Sequence, residues 1–141
     1  MIFVGTHARS LDDKGRLVLP SKFRTHFAED GVVSRGRGCV QLHTAAAFKE
    51  MVDRLTGQMR DGEIEPRVLW GLGAGSEDVR LDGQGRVTLP SHLREGASLG
   101  SEVVICGALG HIEIWNPDAW AAVAPDLDRS VAEAFAHGAG I

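Results

Sequence analysis

The amino-acid sequence predicts an α+β fold, mainly β, built from two tandem copies of one small unit packed about a pseudo-twofold axis. Three observations carry this. First, Ser10–Arg24 lines up with Arg80–Arg94 at an offset of 70, with eight of fifteen positions identical. Second, each copy holds a tight-turn signature between apolar stretches, Asp12-Asp13-Lys14-Gly15 and Asp82-Gly83-Gln84-Gly85. Third, the trailing helix of each copy opens on a capping residue, Thr44 and Asn116. A repeat of this length is the most informative single feature of a sequence, because it fixes the building block.

The elements follow in order. Residues 2–11 read as a short, irregular strand. Asp12 bonds its own backbone and Gly15 supplies a positive φ, so the chain turns there. Arg16 to Leu19 returns as a strand, which predicts a β-hairpin. Pro20-Ser21 opens a short helix to about Phe27, with proline tolerated in the first turn and Gly31 ending it. Val32–Ser34 and Val40–His43 form a strand pair around Gly36-Arg37-Gly38. Thr44 caps a helix with Phe48, Met51, Val52 and Leu55 on one face. In the second copy Asn116 caps, Pro117 takes the first helical position and Trp120 replaces Phe48.

Each unit is therefore ββαββ with a trailing helix, over residues 1–56 and 72–124. Residues 57–71 connect them: Gly57 to Gly62 as a polar loop, Ile64 to Leu72 as a short helix burying Leu69 and Trp70. Residues 125–141 form an acidic tail, with Asp126, Asp128 and Glu133 against Arg129. In it Leu127, Val131 and Phe135 make an apolar stripe, and Gly138 and Gly140 predict frayed ends. Units of about 50 residues are marginal alone, so the two copies are expected to complete one another.

Composition narrows the function classes. The chain has 141 residues, 43% hydrophobic and 24% charged, with 15 Lys+Arg against 19 Asp+Glu and a net charge of −4. Wholesale disorder is excluded. The longest stretch without Lys, Arg, Asp or Glu, Gly38 to Phe48, is eleven residues, too short for a membrane span. The N-terminal residues lack the pattern of a secretory signal. Cys39 and Cys106 are too few for a disulfide framework or a zinc cluster. A cytoplasmic, reduced protein is the expectation.

The paired Leu-Asp-x-x-Gly-Arg-x-x-Leu-Pro motifs, Leu11–Pro20 and Leu81–Pro90, make the chain resemble the MraZ family of bacterial transcriptional regulators, made of two fused SpoVT-AbrB domains. Gly73-Ala-Gly-Ser-Glu77 before the second motif and the strand Ile112-Glu-Ile-Trp115 add to the likeness, which covers residues 1 to about 124. The resemblance implies an AbrB-like swapped-hairpin barrel built from both halves of one chain. It also implies closed rings of several subunits on the nucleoid. These would bind short direct repeats upstream of the division and cell-wall gene cluster, the protein's own promoter included, usually to repress it. No cofactor, metal or catalytic residue is implied. The family's Asp-x-x-x-Arg signature falls on Asp12/Arg16 and Asp82/Arg86, and its DNA-binding arginine carries first to Arg16.

The chemistry of the hairpins agrees with that carry-over. Residues 1–38 hold seven basic against four acidic side chains, and residues 39–141 hold eight against fifteen. DNA binding needs local positive potential rather than net positive charge. Hairpin strands can enter a groove, where arginine pairs bidentately with guanine. The candidate DNA contacts are Arg16, Lys14, Arg9, Lys22, Arg24 and Arg86, with Asp12, Gly15, Asp82 and Gly85 shaping the turns. The second hairpin is the weaker one, since Lys14 becomes Gln84 and Lys22 becomes His92. Asp12 and Arg16 read equally well as an ion pair fixing the turn, worth about 0–1 kcal/mol; a pinned Arg16 is also a preorganised one. Lys22 and Arg24 read equally well as a solvated helix face, and Arg35 and Arg37 read as solvated charge. Trp70, Trp115 and Trp120 read as core or subunit-interface anchors.

Rival functions find less support. Gly71-Leu-Gly-Ala-Gly75 lacks the third glycine of a dinucleotide fingerprint. The six histidines fall at no metal-ligand spacing, each reads as a surface or edge-strand residue, and no nucleophile motif is present. No enzyme is expected. The alternative is an antitoxin-like or structural ring-forming interaction module, against which the duplication within one chain argues.

Overall fold

A computed structural model describes residues 2–141. The first unit supplies β1 (Thr6–Ser10), β2 (Arg16–Val18), α1 (Ser21–Arg24), β3 (Gly31–Arg35), β4 (Val40–Thr44) and α2 (Ala45–Arg60). A connecting helix α3 (Pro66–Gly75) follows. The second unit supplies β5 (Glu77–Val79), β6 (Arg86–Thr88), α4 (Ser91–Gly96), β7 (Glu102–Gly107), β8 (Ile112–Trp115) and α5 (Pro117–Ala136). Both trailing helices start where their caps predict. The Thr44 hydroxyl accepts from the Ala47 N–H, and the Asn116 carbonyl accepts from the Asp118 and Ala119 N–H groups, satisfying donors that a helix start leaves unpaired.

The strands exchange partners between units. A six-stranded antiparallel sheet runs β1-β7-β8-β4-β3-β5, and a separate two-stranded ribbon pairs β2 with β6. The hairpin expected within each unit is thus not a ladder: β1 and β2 touch through the single bridge Leu11–Leu17. Instead β1 pairs over five residues with β7, and β5 pairs with β3. The reason lies in burial. Turning β2 away from β1 and onto β6 places Leu17, Leu19, Val87 and Leu89 together against the sheet's inner face, each fully buried. The swapped arrangement implied by the family resemblance is the one found. Among the described residues the ladder ends at β1 and β5 rather than running round a closed barrel.

One core serves both units. Val33, Val40 and Leu42 from the first meet Ile105, Ile112 and Ile114 from the second, all at 0% exposure. Phe3 seals one end, with ring centroids 5.3 Å from Phe23 and 5.8 Å from Phe27. Among the described residues no helix is long and apolar enough to cross a membrane.

Three local expectations are corrected. Gly31 does not end a helix but opens β3, where a Cβ would lie 3.0 Å from the His43 carbonyl. Gly57 continues α2 instead of starting a loop, because the ladder of an established helix tolerates one glycine. Trp70 is 74% exposed rather than buried. In the tail α5 runs through Pro125 and ends at Ala136, ahead of Gly138 and Gly140, and Leu127, Val131 and Phe135 form a stripe along it, 50–64% accessible.

Sharing of the core has a measurable consequence. Leu17→Ala, in the first unit, is expected to cost about 2–5 kcal/mol. All three tryptophans lie outside that unit, yet the urea midpoint followed by their fluorescence should move with the circular-dichroism midpoint. An unmoved tryptophan transition would mean that the units unfold separately.

Candidate nucleic-acid interface

The two turns are built alike, atom for atom. The Asp12 N–H donates to the Arg16 carbonyl at 3.0 Å, and the Gly15 N–H to the Asp12 carbonyl at 3.0 Å. The Asp12 carboxylate accepts from the Lys14 N–H at 3.0 Å and the Arg16 N–H at 2.8 Å through Oδ1. Its Oδ2 accepts from Arg16 Nε at 2.6 Å. Asp82 repeats this with the Gln84 and Arg86 N–H groups at 2.9 Å each and Arg86 Nε at 2.7 Å. The motif spacing has a simple cause: a short acidic side chain at the first position reaches the N–H groups two and four residues on. Gly15 and Gly85 have φ of +75° and +74°, which disfavours any other residue. Backbone donation from Arg16, foremost, holds the Asp12 carboxyl below its ordinary pKa, and Arg86 does the same for Asp82.

Register then fixes where the arginines stand. In the ribbon Arg16 pairs with Thr88, Leu17 with Val87, and Val18 with Arg86. Leu17 and Val87 face the core. Alternation of side chains therefore puts Arg16, Thr88, Val18 and Arg86 on the opposite, outward face. Arg16 and Arg86 lie diagonally across it, with side chains 30% and 24% exposed. Each is anchored through Nε, which leaves the Nη pair at the far end of a guanidinium whose orientation is already set.

The other candidates divide. Lys14 is exposed at the tip of the first turn, beside Arg16. Arg24 is not on that turn at all: it lies over the second, with its Cδ, Nε and Cζ 2.6–2.8 Å from where a Cβ on Gly85 would sit. Arg9, on β1, has its Nη1 donating to the Ala8 carbonyl, on the sheet rather than the ribbon. Lys22 lies near Gly5, its Nζ 5.4 Å from the Phe23 ring centre. One residue passed over by sequence reasoning belongs here. Arg94 lies over the first turn, its Cζ and Nε 2.7 Å from the Cβ position of Gly15. The signal that could have found it is the repeat itself, which aligns Arg94 with Arg24.

A second group of titratable side chains occupies the face of the sheet away from the core. His43 is not a surface residue but is 4% exposed, stacked on His111 at 4.8 Å. Burial, with His111 and Arg54 adding to it, holds His43 down at about 4. His111 Nε2 lies 2.8 Å from Glu113, whose carboxylate also accepts from Trp115 Nε1 at 3.0 Å. Burial and Glu113 push the Cys39 thiol up to about 12, so it is no activated nucleophile. No group of three or more metal-ligating side chains occurs among the described residues.

The turn chemistry sets its own pH range. Asp12 and Asp82 are held below the ordinary carboxylate pKa. Their contribution to stability is complete above the unfolded-state value and is lost as pH falls through the lower folded-state value. Carboxyl-carbon NMR titration should show both groups ionised where other surface carboxylates have begun to protonate. Loss of the amide shifts of Gly15 and Gly85 should follow those two titrations. Ordinary values for both would remove the turn assignment.

Comparison with known proteins agrees with the repeat and the turns. The family model described as "MraZ protein, putative antitoxin-like" matches residues 2–60 and 72–139. Its second match extends past residue 124 into the helical tail that the sequence resemblance left aside. A protein of Salinispora arenicola named transcriptional regulator MraZ is 39% identical over 120 residues, 84% of each chain. Relatives of the same name from Nocardioides sp. and Saccharopolyspora erythraea are 40% identical over 124 residues and 35% over 134, covering 85% and 94% of this chain and 84% and 94% of their own. With two complete copies of the motif, two matched segments and relatives alike over most of their length, the chain belongs to the MraZ family.

Proposed function

We propose that the chain is a sequence-specific, DNA-binding transcriptional regulator that works through the outward face of the β2–β6 ribbon. The observation that carries this is the placement of Arg16 and Arg86 on one face of one two-stranded ribbon, each tethered by its Asp. A ribbon of this kind has the width to enter a major groove. A guanidinium held through Nε loses less rotamer freedom on binding, and its free edge suits guanine or phosphate. The names of the relatives support the regulatory role.

The finer reading follows the family. The target is a set of short direct repeats upstream of the division and cell-wall cluster, including the protein's own promoter, and the effect is repression. Copies of the chain assemble into a closed ring, which brings several ribbons to adjacent repeats and raises avidity. The protein acts in the cytoplasm, on the nucleoid. Arg16 and Lys14 on the first turn are the principal contacts, Arg86 and Arg24 on the second the lesser ones, and Arg9 and Lys22 reach flanking phosphates.

Two measurements test this. In gel-shift and footprinting assays on the DNA upstream of its own gene, the protein should protect repeated boxes, and binding should weaken steeply with salt. Arg16→Ala should cost about 1–3 kcal/mol of affinity while the circular-dichroism spectrum stays unchanged; full retention of affinity would remove Arg16 from the site. Light scattering should give the mass of a closed oligomer, and a strict monomer would remove the ring.

A further inference from the structure

We infer that Arg94, carried by the second unit, belongs to the DNA surface of the first turn, where it grips a phosphate beside Arg16. This rests on the DNA-binding reading above and adds to it a residue from the opposite unit. The geometry is a short relay. The Leu89 N–H donates to the Gly15 carbonyl at 2.9 Å, and Arg94 Nε donates to the Leu89 carbonyl at 2.9 Å. Leu89 therefore registers the Arg94 guanidinium directly against the first turn. The guanidinium packs against Gly15, with Cζ, Nε and Nη2 within 2.7–3.1 Å of the vacant Cβ position. The pseudo-twofold axis repeats the relay from Arg24 through Leu19, whose N–H donates to the Gly85 carbonyl at 3.2 Å.

Charge argues for a ligand. Arg16 and Arg86 each have an Asp partner, but neither Arg24 nor Arg94 has a carboxylate within ion-pair distance among the described residues. Arg94 is half-buried, so a cation is held, partly desolvated and without a counter-ion, against the glycine that precedes Arg16. Phosphate is the counter-ion chemistry that fits: it accepts from a fixed guanidinium fork, and phosphate contacts set the register of a base-reading group. On each turn the specifying arginine comes from one unit and the phosphate-facing arginine from the other.

The test uses the full-length protein and a labelled duplex from upstream of its own gene, with affinity read by anisotropy across a salt series. Arg94→Gln keeps an N–H that can reach the Leu89 carbonyl and removes the charge and the guanidinium fork. It should bind about five- to tenfold more weakly. The slope of log affinity against log salt should fall by about 0.9 for each turn engaged. Arg94→Lys restores a point charge without the Nε anchor, and should recover part of both. Wild-type affinity and slope in both variants, with Arg16→Ala impaired in the same assay, would overturn the assignment of Arg94 alone. Equal losses in both variants that track a fall in melting temperature would overturn it too, leaving Arg94 as a cover for the turn. Absence of wild-type binding would overturn the DNA reading and this inference with it.

Discussion

The structure depends on a reciprocal pair of backbone bonds at the ends of the β2–β6 ribbon. The Leu19 N–H donates to the Gly85 carbonyl and the Leu89 N–H to the Gly15 carbonyl. Each turn is thereby closed by the strand of the other copy. All four residues are buried, and a buried unpaired amide or carbonyl costs about 1–3 kcal/mol. Because Leu17, Leu19, Val87 and Leu89 ride on the same ribbon into the core, the exchange also settles how the apolar faces are covered. Two units of a size that is marginal for folding alone thereby share one core.

The same constraint explains why function can sit on a turn. Turns are ordinarily mobile, and a mobile arginine loses entropy on binding. Here the turn is held from inside by Asp12 or Asp82, from across the axis by a leucine amide, and from above by a guanidinium that only glycine leaves room for. Gly15 and Gly85 serve twice: their positive φ closes the turn, and their missing side chain seats the arginine. Substitution there disturbs backbone and surface together, so on the proposed reading these glycines belong to the site although they offer it no side chain.

Much of this was legible in the sequence. The repeat gave the two units, the Asp-x-x-Gly-Arg spacing gave the turns, and Thr44 and Asn116 gave the helix starts, since each depends on local geometry. The strand exchange was not legible from the residues, because β1 and β5 satisfy the same alternation whichever copy they pair with; only the family resemblance pointed to it. The burial of His43 was hidden for a related reason: period-two alternation marks two faces of a strand but not which helix covers the outer one. Trp70 shows the opposite error, a large apolar residue assigned to the interior by type alone, although such residues also occur exposed on surfaces. Arg94 escaped because linear distance separates it from Lys14 and Arg16, while the fold sets it on their turn.

That last point changes the meaning of the charge distribution. Counted along the chain, basic residues gather before residue 39 and the remainder is acidic, which makes the first hairpin alone look fit for DNA. Counted in space, the exchange moves one arginine each way: Arg94 joins Lys14 and Arg16, and Arg24 joins Arg86. Each turn gains one arginine from the other copy, so the second turn also carries two, while Lys14 keeps the first one cation ahead; the acidic side chains of α5 stand on a different element from either turn. Since counterion release is governed by charge within about a Debye length of the phosphates, on the proposed reading the turns and not the net charge of −4 decide the electrostatics of binding. A chain of overall acidic composition can then present a basic ribbon, and its excess acid lowers non-specific attraction to DNA away from the ribbon's target.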